Sequence, residues 1–112
     1  MTTETTQANR TALVVEDDDF MREEYATILE DKGYQVSSAI EMDKLKQYAK
    51  REFDLAIIDG LEGRCFDAYD IIKAKRKMII TGSDRLFEEA KNRGIEAYDK
   101  GDIEFLGVLK KI

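Results

Sequence analysis

The side chains able to do chemistry stand just past short aliphatic runs. Glu16, Asp17, Asp18 and Asp19 follow Ala12-Leu13-Val14-Val15, and Asp59 with Gly60 follows Leu55-Ala56-Ile57-Ile58. Thr81, Gly82 and Ser83 follow Met78-Ile79-Ile80, and Lys100 comes just after Tyr98. If these runs are neighbouring strands, three carboxylates from two strand ends meet beside a hydroxyl and an ammonium. Like charges at close range repel, so such a cluster must protonate, pair or hold a cation. With no histidine and one cysteine, Cys65, the chain offers oxygen ligands, which suit a hard ion such as Mg²⁺ with several waters retained. Phosphoryl transfer fits this set. A cation and an ammonium neutralise equatorial oxygens, a hydroxyl donates a hydrogen bond, and a carboxylate attacks in line. Asp59 is the natural nucleophile, and it would yield an acyl phosphate.

The elements that must position these groups are legible as alternating periods. Ala12–Val15, Leu55–Ile58 and Met78–Ile80 read as strands buried on both faces. Tyr34–Ser38 and Ile95–Tyr98 are more polar and suit sheet edges. Met21, Tyr25, Ile28 and Leu29 form one helical stripe, with Asp18 or Asp19 to cap its start and Gly33 placed to end it. Met42, Leu45 and Ala49 mark a second helix, and Phe66 to Lys73 a third, anchored by Ile71 and Ile72. Ser83 or Asp84 begins a fourth, with Leu86, Phe87 and Ala90 inward and Gly94 at its end. The last begins near Asp102 and uses Phe105, Leu106, Leu109 and Ile112, with Glu104 and the Lys110-Lys111 pair matched to the helix dipole. Five strands alternating with five helices predict an α/β protein, a doubly wound parallel sheet with helices on both faces. Ligands of such sheets bind outside the carboxyl ends of the strands, where the acidic groups fall.

Composition narrows the function. The 112 residues carry 18 Lys+Arg against 24 Asp+Glu, a formal net charge of -6, which argues against a dedicated nucleic-acid binder. The aliphatic runs are too short to span a bilayer, and the polar start lacks a signal peptide's apolar stretch, so a cytoplasmic protein is expected. One cysteine excludes an intrachain disulfide and a Cys-based zinc site. Residues 1–10 are Thr-rich, polar and aperiodic and read as a flexible tail, which leaves 11–112 as one domain.

Each piece alone has a plainer explanation. Acidic residues favour helix N-termini, Asp-Gly can be a tight turn, Thr81-Gly82-Ser83-Asp84 can be a capped loop, and Lys100 can be a surface lysine. Cys65 reads as a small apolar contact in the loop after the third strand. Their joint recurrence at successive strand ends favours a site.

The runs LVVEDDDFMRE, DLAIIDG, MIITGSD and YDKGD together resemble the receiver domain of two-component response regulators, over about residues 11 to 112. The resemblance implies a flavodoxin-like fold with strand order 2-1-3-4-5. It implies that Glu16 and Asp17 place Mg²⁺ with Asp59 and the carbonyl of Leu61. Asp59 would be the phosphoacceptor, Thr81 the switch hydroxyl and Lys100 the phosphate-binding lysine. The implied donor is a sensor histidine kinase or phosphotransfer protein. The signal would pass to an unknown downstream protein, and the chain would be a monomer or weak dimer with no output domain within these residues.

The sequence also departs from the family pattern. Gly63 stands where receivers usually have proline, and Lys100-Gly101 replaces Lys-Pro. Ala97 takes the place of the aromatic switch residue, with Tyr98 one position out of phase. These departures keep a second possibility in view, a pseudo-receiver that binds proteins without phosphorylation. A hydrolase of the haloacid-dehalogenase type is disfavoured by Leu61, which stands where a second Asp would be needed. The chain has no GxxxxGK loop for a nucleoside triphosphate.

Overall fold

The structure is a computed structural model, and it describes residues 10–40, 42–100 and 103–112. Five parallel strands, β1 (Thr11–Val15), β2 (Gln35–Ala39), β3 (Glu52–Asp59), β4 (Lys73–Thr81) and β5 (Ala97–Asp99), lie in the order β2-β1-β3-β4-β5. The register runs Val15↔Ala39 and Val15↔Ile58 on the two sides of β1, Asp59↔Ile80 between β3 and β4, and Thr81↔Asp99 at the edge. This is the doubly wound flavodoxin-like sheet expected. It brings the residues after β1 and β3 side by side.

Side chains alternate across the sheet, so each strand feeds two cores. Leu13, Val15, Ala56, Ile58 and Ile79 face one side, which is closed by α2 (Met42–Leu45), α3 (Cys65–Ile71) and α4 (Asp84–Asn92). Ala12, Val14, Leu55, Ile57, Met78 and Ile80 face the other, closed by α1 (Asp19–Asp31) and α5 (Ile103–Lys111). In α1, Tyr25 and Leu29 are buried as the stripe requires. Asp18 caps the helix by accepting from the Met21 amide at 2.9 Å, and Gly33 at φ +94° makes the left-handed exit. Ser83 caps α4 in the same way, accepting from the Leu86 amide at 3.2 Å.

Several boundaries differ from the sequence reading. β3 and β4 begin earlier than their aliphatic runs, at Glu52 and Lys73, because the ladder continues past the buried part of the sheet. Lys73 therefore belongs to β4, and α3 ends at Ile71. Ile72 is already extended at ψ 134° and buried. The Lys77 ammonium makes this short exit possible, donating to the carbonyls of Tyr69 at 2.7 Å and Ile72 at 3.2 Å. The second helix is a single α-turn continued by a 3₁₀ turn, Lys46–Tyr48, with Ala49 just beyond it. Tyr34 and Ile95 lie just before their strands. Of the expected tail, only Arg10 is described, and its guanidinium stacks 4.5 Å over the Tyr34 ring. The expected helix start at Asp102 and the Lys100-Gly101 bond fall outside the described residues. No helix among the described residues is long and apolar enough to cross a membrane.

The stripe of α1 gives a direct contrast. Leu29→Ala empties a fully buried position and should cost about 2–5 kcal/mol. Phe20→Ala, at a position 72% exposed, should change stability by less than about 0.5 kcal/mol. Urea denaturation of the two variants measures both.

Candidate functional site

Glu16 leaves β1 with its amide donating to the Ala39 carbonyl at 3.0 Å, which turns its side chain inward over the sheet end. That side chain is wholly buried. Its Oε2 accepts from Lys100 Nζ at 3.0 Å and from the Asp18 amide at 3.2 Å. Its Oε1 also lies 3.0 Å from the ammonium, but without hydrogen-bonding geometry to any described group. Burial pushes the Glu16 carboxyl above its ordinary value. The Lys100 hydrogen bond opposes that shift, and the charge on Asp59 adds to it.

Asp59 ends β3 and is buried. Its Oδ1 accepts from Lys100 Nζ at 2.8 Å and its Oδ2 from the Leu61 amide at 3.3 Å. Lys100 sits just past β5, where its amide donates to the Thr81 carbonyl at 2.9 Å. Burial works against its charge, but the hydrogen bonds to Asp59 and Glu16 outweigh that and hold its pKa above the ordinary lysine value. Asp17 is exposed at the mouth. Glu16, Asp17 and Asp59 each offer a carboxylate oxygen, and these oxygens lie within 4.8 Å of one another.

The structure thus brings Glu16, Asp17, Asp59 and Lys100 together. Thr81 is buried at the end of β4, its hydroxyl accepting from the Ser83 amide at 3.0 Å. The Leu61 carbonyl accepts from the Arg64 amide at 3.1 Å and keeps its second lone pair. The loop after Asp59 is tightly wound. Leu61 and Glu62 hold φ of 51° and 55°, and Gly63 holds +97°. Gly63 thereby explains the absent proline, because a pyrrolidine ring fixes φ near −65°. Ala97 lies in the core on the α4 side, whereas Tyr98 packs on the opposite side against Phe105 and donates to Glu96 Oε2 at 2.5 Å.

Two contributors escape sequence reasoning. Arg22 donates to the Glu16 carbonyl at 2.9 Å and also pairs with Asp19. The available signal was a cation in the first turn of a helix, where the dipole disfavours it. Tyr25, read as core, carries a buried hydroxyl with no described hydrogen-bond partner. Burial, then the charge on Glu16, push its pKa up to about 12.

No protein-family model matches the sequence, and no curated protein matches it. Solved structures match its fold. A response regulator protein from Burkholderia pseudomallei, with a phosphorylated aspartic acid, a calcium ion and citrate, superposes with a TM-score of 0.68. It is 23% identical over 90% of this chain and 66% of that one. A CheY-like response regulator receiver domain protein from Methanospirillum hungatei gives 0.65 at 24% identity, over 91% of each chain. The response regulator TrrA of Thermotoga maritima, in complex with Mg²⁺ and BeF, gives 0.64 at 19% identity, over 91% of this chain and 95% of that one. The fold is that of response regulator receiver domains.

Glu16→Gln removes a buried charge that Asp59 repels and keeps the side chain's shape. In metal-free buffer at pH 7 the variant should melt above the unchanged protein. A raised carboxyl pKa means that the folded chain binds a proton the unfolded chain has already lost. Stability from Glu16 is therefore complete below about 4.5 and is lost as pH rises through the raised value. The advantage of the Glu16→Gln variant should shrink as pH falls from 7 toward 4.5, and a gap that widens on acidification contradicts this account.

Proposed function

We propose that the chain acts as a receiver domain, taking a phosphoryl group on Asp59 from a sensor histidine kinase or phosphotransfer protein. The observation that carries this reading is the Lys100 ammonium seated between the Asp59 and Glu16 carboxylates, with Asp17 completing the acidic cluster. The donor set is all oxygen, and the buried Glu16 Oε1 lacks a hydrogen bond, so the residues fit a hard divalent ion. Glu16, Asp17 and Asp59, with the free lone pair of the Leu61 carbonyl, would hold Mg²⁺. Bound there, it would supply positive charge against the carboxylates and phosphoryl oxygens.

The chain's own residues do the rest. An Asp59 oxygen forms the new P–O bond while the P–N bond to the donor histidine breaks, and the imidazole nitrogen keeps the electron pair. Lys100 stays beside the phosphoryl oxygens as a charge-assisted donor, and the Leu61 amide remains on the carboxyl group. The Thr81 hydroxyl donates to a phosphoryl oxygen. Output passes through contact with a downstream protein. Since Tyr98 packs on the face opposite Ala97, the usual aromatic partner of the Thr81 hydroxyl is missing. That placement favours a phosphorylation-independent binding module as the second reading.

With Mg²⁺ and acetyl phosphate, the protein should gain the mass of one phosphoryl group, removable by hydroxylamine. Asp59→Asn should abolish the gain, because an amide is a poor nucleophile. Lys100→Ala should slow it by about 10²-fold, the scale of losing one donor aimed at developing charge. Intact-mass spectrometry over time reads all three proteins. An unmodified wild-type chain would transfer the case to the second reading.

A further inference from the structure

Gly60 directly follows Asp59, and its backbone does not call for glycine. Its φ of −58° and ψ of −29° are right-handed values open to every L residue. Space is the constraint. A Cβ at this position would lie 2.7 Å from Thr81 Oγ1, 3.2 Å from Thr81 Cβ and 3.2 Å from Leu86 Cδ1. The first distance is shorter than any tolerable carbon–oxygen contact, so the Thr81 hydroxyl occupies the recess that a side chain at 60 would fill.

That recess decides how the hydroxyl is presented. Thr81 is buried and β-branched, so its χ1 takes one of three staggered positions. In the observed one the hydroxyl lies against Gly60 and accepts from the Ser83 amide, which uses a lone pair and leaves its own proton for another partner. A Cβ at 60 would admit only the small Cβ hydrogen of Thr81 at that point. The hydroxyl would turn away and release Ser83.

We propose that Gly60 is a positioning residue of the phosphoryl site: its missing side chain holds the Thr81 hydroxyl beside the Asp59–Gly60 step, ready to donate to an anionic group on Asp59. The inference rests on the phosphoacceptor role of Asp59 and adds the residue that orients the hydroxyl. A donor fixed in advance needs no reorganisation when charge arrives, and the Ser83 amide polarises its O–H bond toward donation.

Beryllofluoride, which stands in for the phosphoryl group, tests this in the presence of Mg²⁺ by calorimetric titration of four proteins. These are the unchanged chain, Gly60→Ala, Thr81→Ala and the double variant. Each single variant should bind about tenfold more weakly, the scale of one hydrogen bond to a charged acceptor. The double variant should bind no more weakly than Thr81→Ala alone, because no hydroxyl remains for the new Cβ to evict. Losses that multiply in the double variant would locate the effect in packing against Leu86 and overturn the proposal. So would unchanged or tighter binding by Gly60→Ala. An unchanged chain that takes no beryllofluoride would sink the phosphoacceptor role itself, and this inference with it. Three-bond NMR couplings to Thr81 Cγ2, measured without ligand, should show a different χ1 in Gly60→Ala, and an identical χ1 would also refute the role. If Gly60→Ala fails to fold, Gly60→Ala with Leu86→Ala relieves the second contact and is measured against Leu86→Ala.

Discussion

The contact on which this molecule depends is the ammonium of Lys100 between the carboxylates of Asp59 and Glu16. Glu16 has no exposed surface, and a buried carboxylate without a cation would protonate or force the strand ends apart. The cation comes from the edge of the sheet. Strands lie about 4.8 Å apart, so a side chain leaving β5 must cross the whole of β4 to reach Asp59 at the end of β3. A long, flexible stem is needed, and lysine supplies it. The Lys100 amide on the Thr81 carbonyl fixes where that stem starts. Strand order, turn and ion pair are therefore one construction, in which β1 and β3 must be neighbours and β5 must lie outside β4.

Much of this was visible in the chain because burial and chemistry coincide at the strand ends. The runs through Val15, Ile58 and Ile80 are aliphatic where helices cover both faces, and each stops where the first functional group begins. The caps of α1 and α4 were legible to within one residue, as Asp18 or Asp19 and Ser83 or Asp84, and the Gly33 exit was legible too, since each satisfies or releases backbone groups of its own helix. The early halves of β3 and β4 were hidden. Glu52, Lys73, Lys75 and Arg76 are exposed residues held in strand by backbone pairing, which leaves no mark in side-chain hydrophobicity. The end of α3 was hidden for a related reason. The Lys77 ammonium that satisfies its last carbonyls comes from the next strand.

At the site, residue types announced the carboxylates and the lysine, whereas their supports went unseen. Arg22 acts through a backbone carbonyl, and any carbonyl would look the same from sequence. Gly60 reads as a turn glycine until its φ proves ordinary and its neighbour proves close. Sequence offset alone placed Tyr98 one residue out of phase, and the structure gives that offset a physical form, with Ala97 and Tyr98 in separate cores.

The wound loop after Asp59 limits how this domain could be rebuilt by recombination. Leu61, Glu62 and Gly63 turn left-handed in succession, and the amides of Gly63 and Cys65 both return to the Gly60 carbonyl, at 3.0 and 3.2 Å. The path into α3 is thus tied to the residue beside Asp59 rather than to the helix it introduces. A chimaera that imports this segment from a protein of the same fold with proline at the position of Gly63 must exchange everything from Gly60 through the first turn of α3 as one cassette. A splice point within it would join two backbones running in different directions.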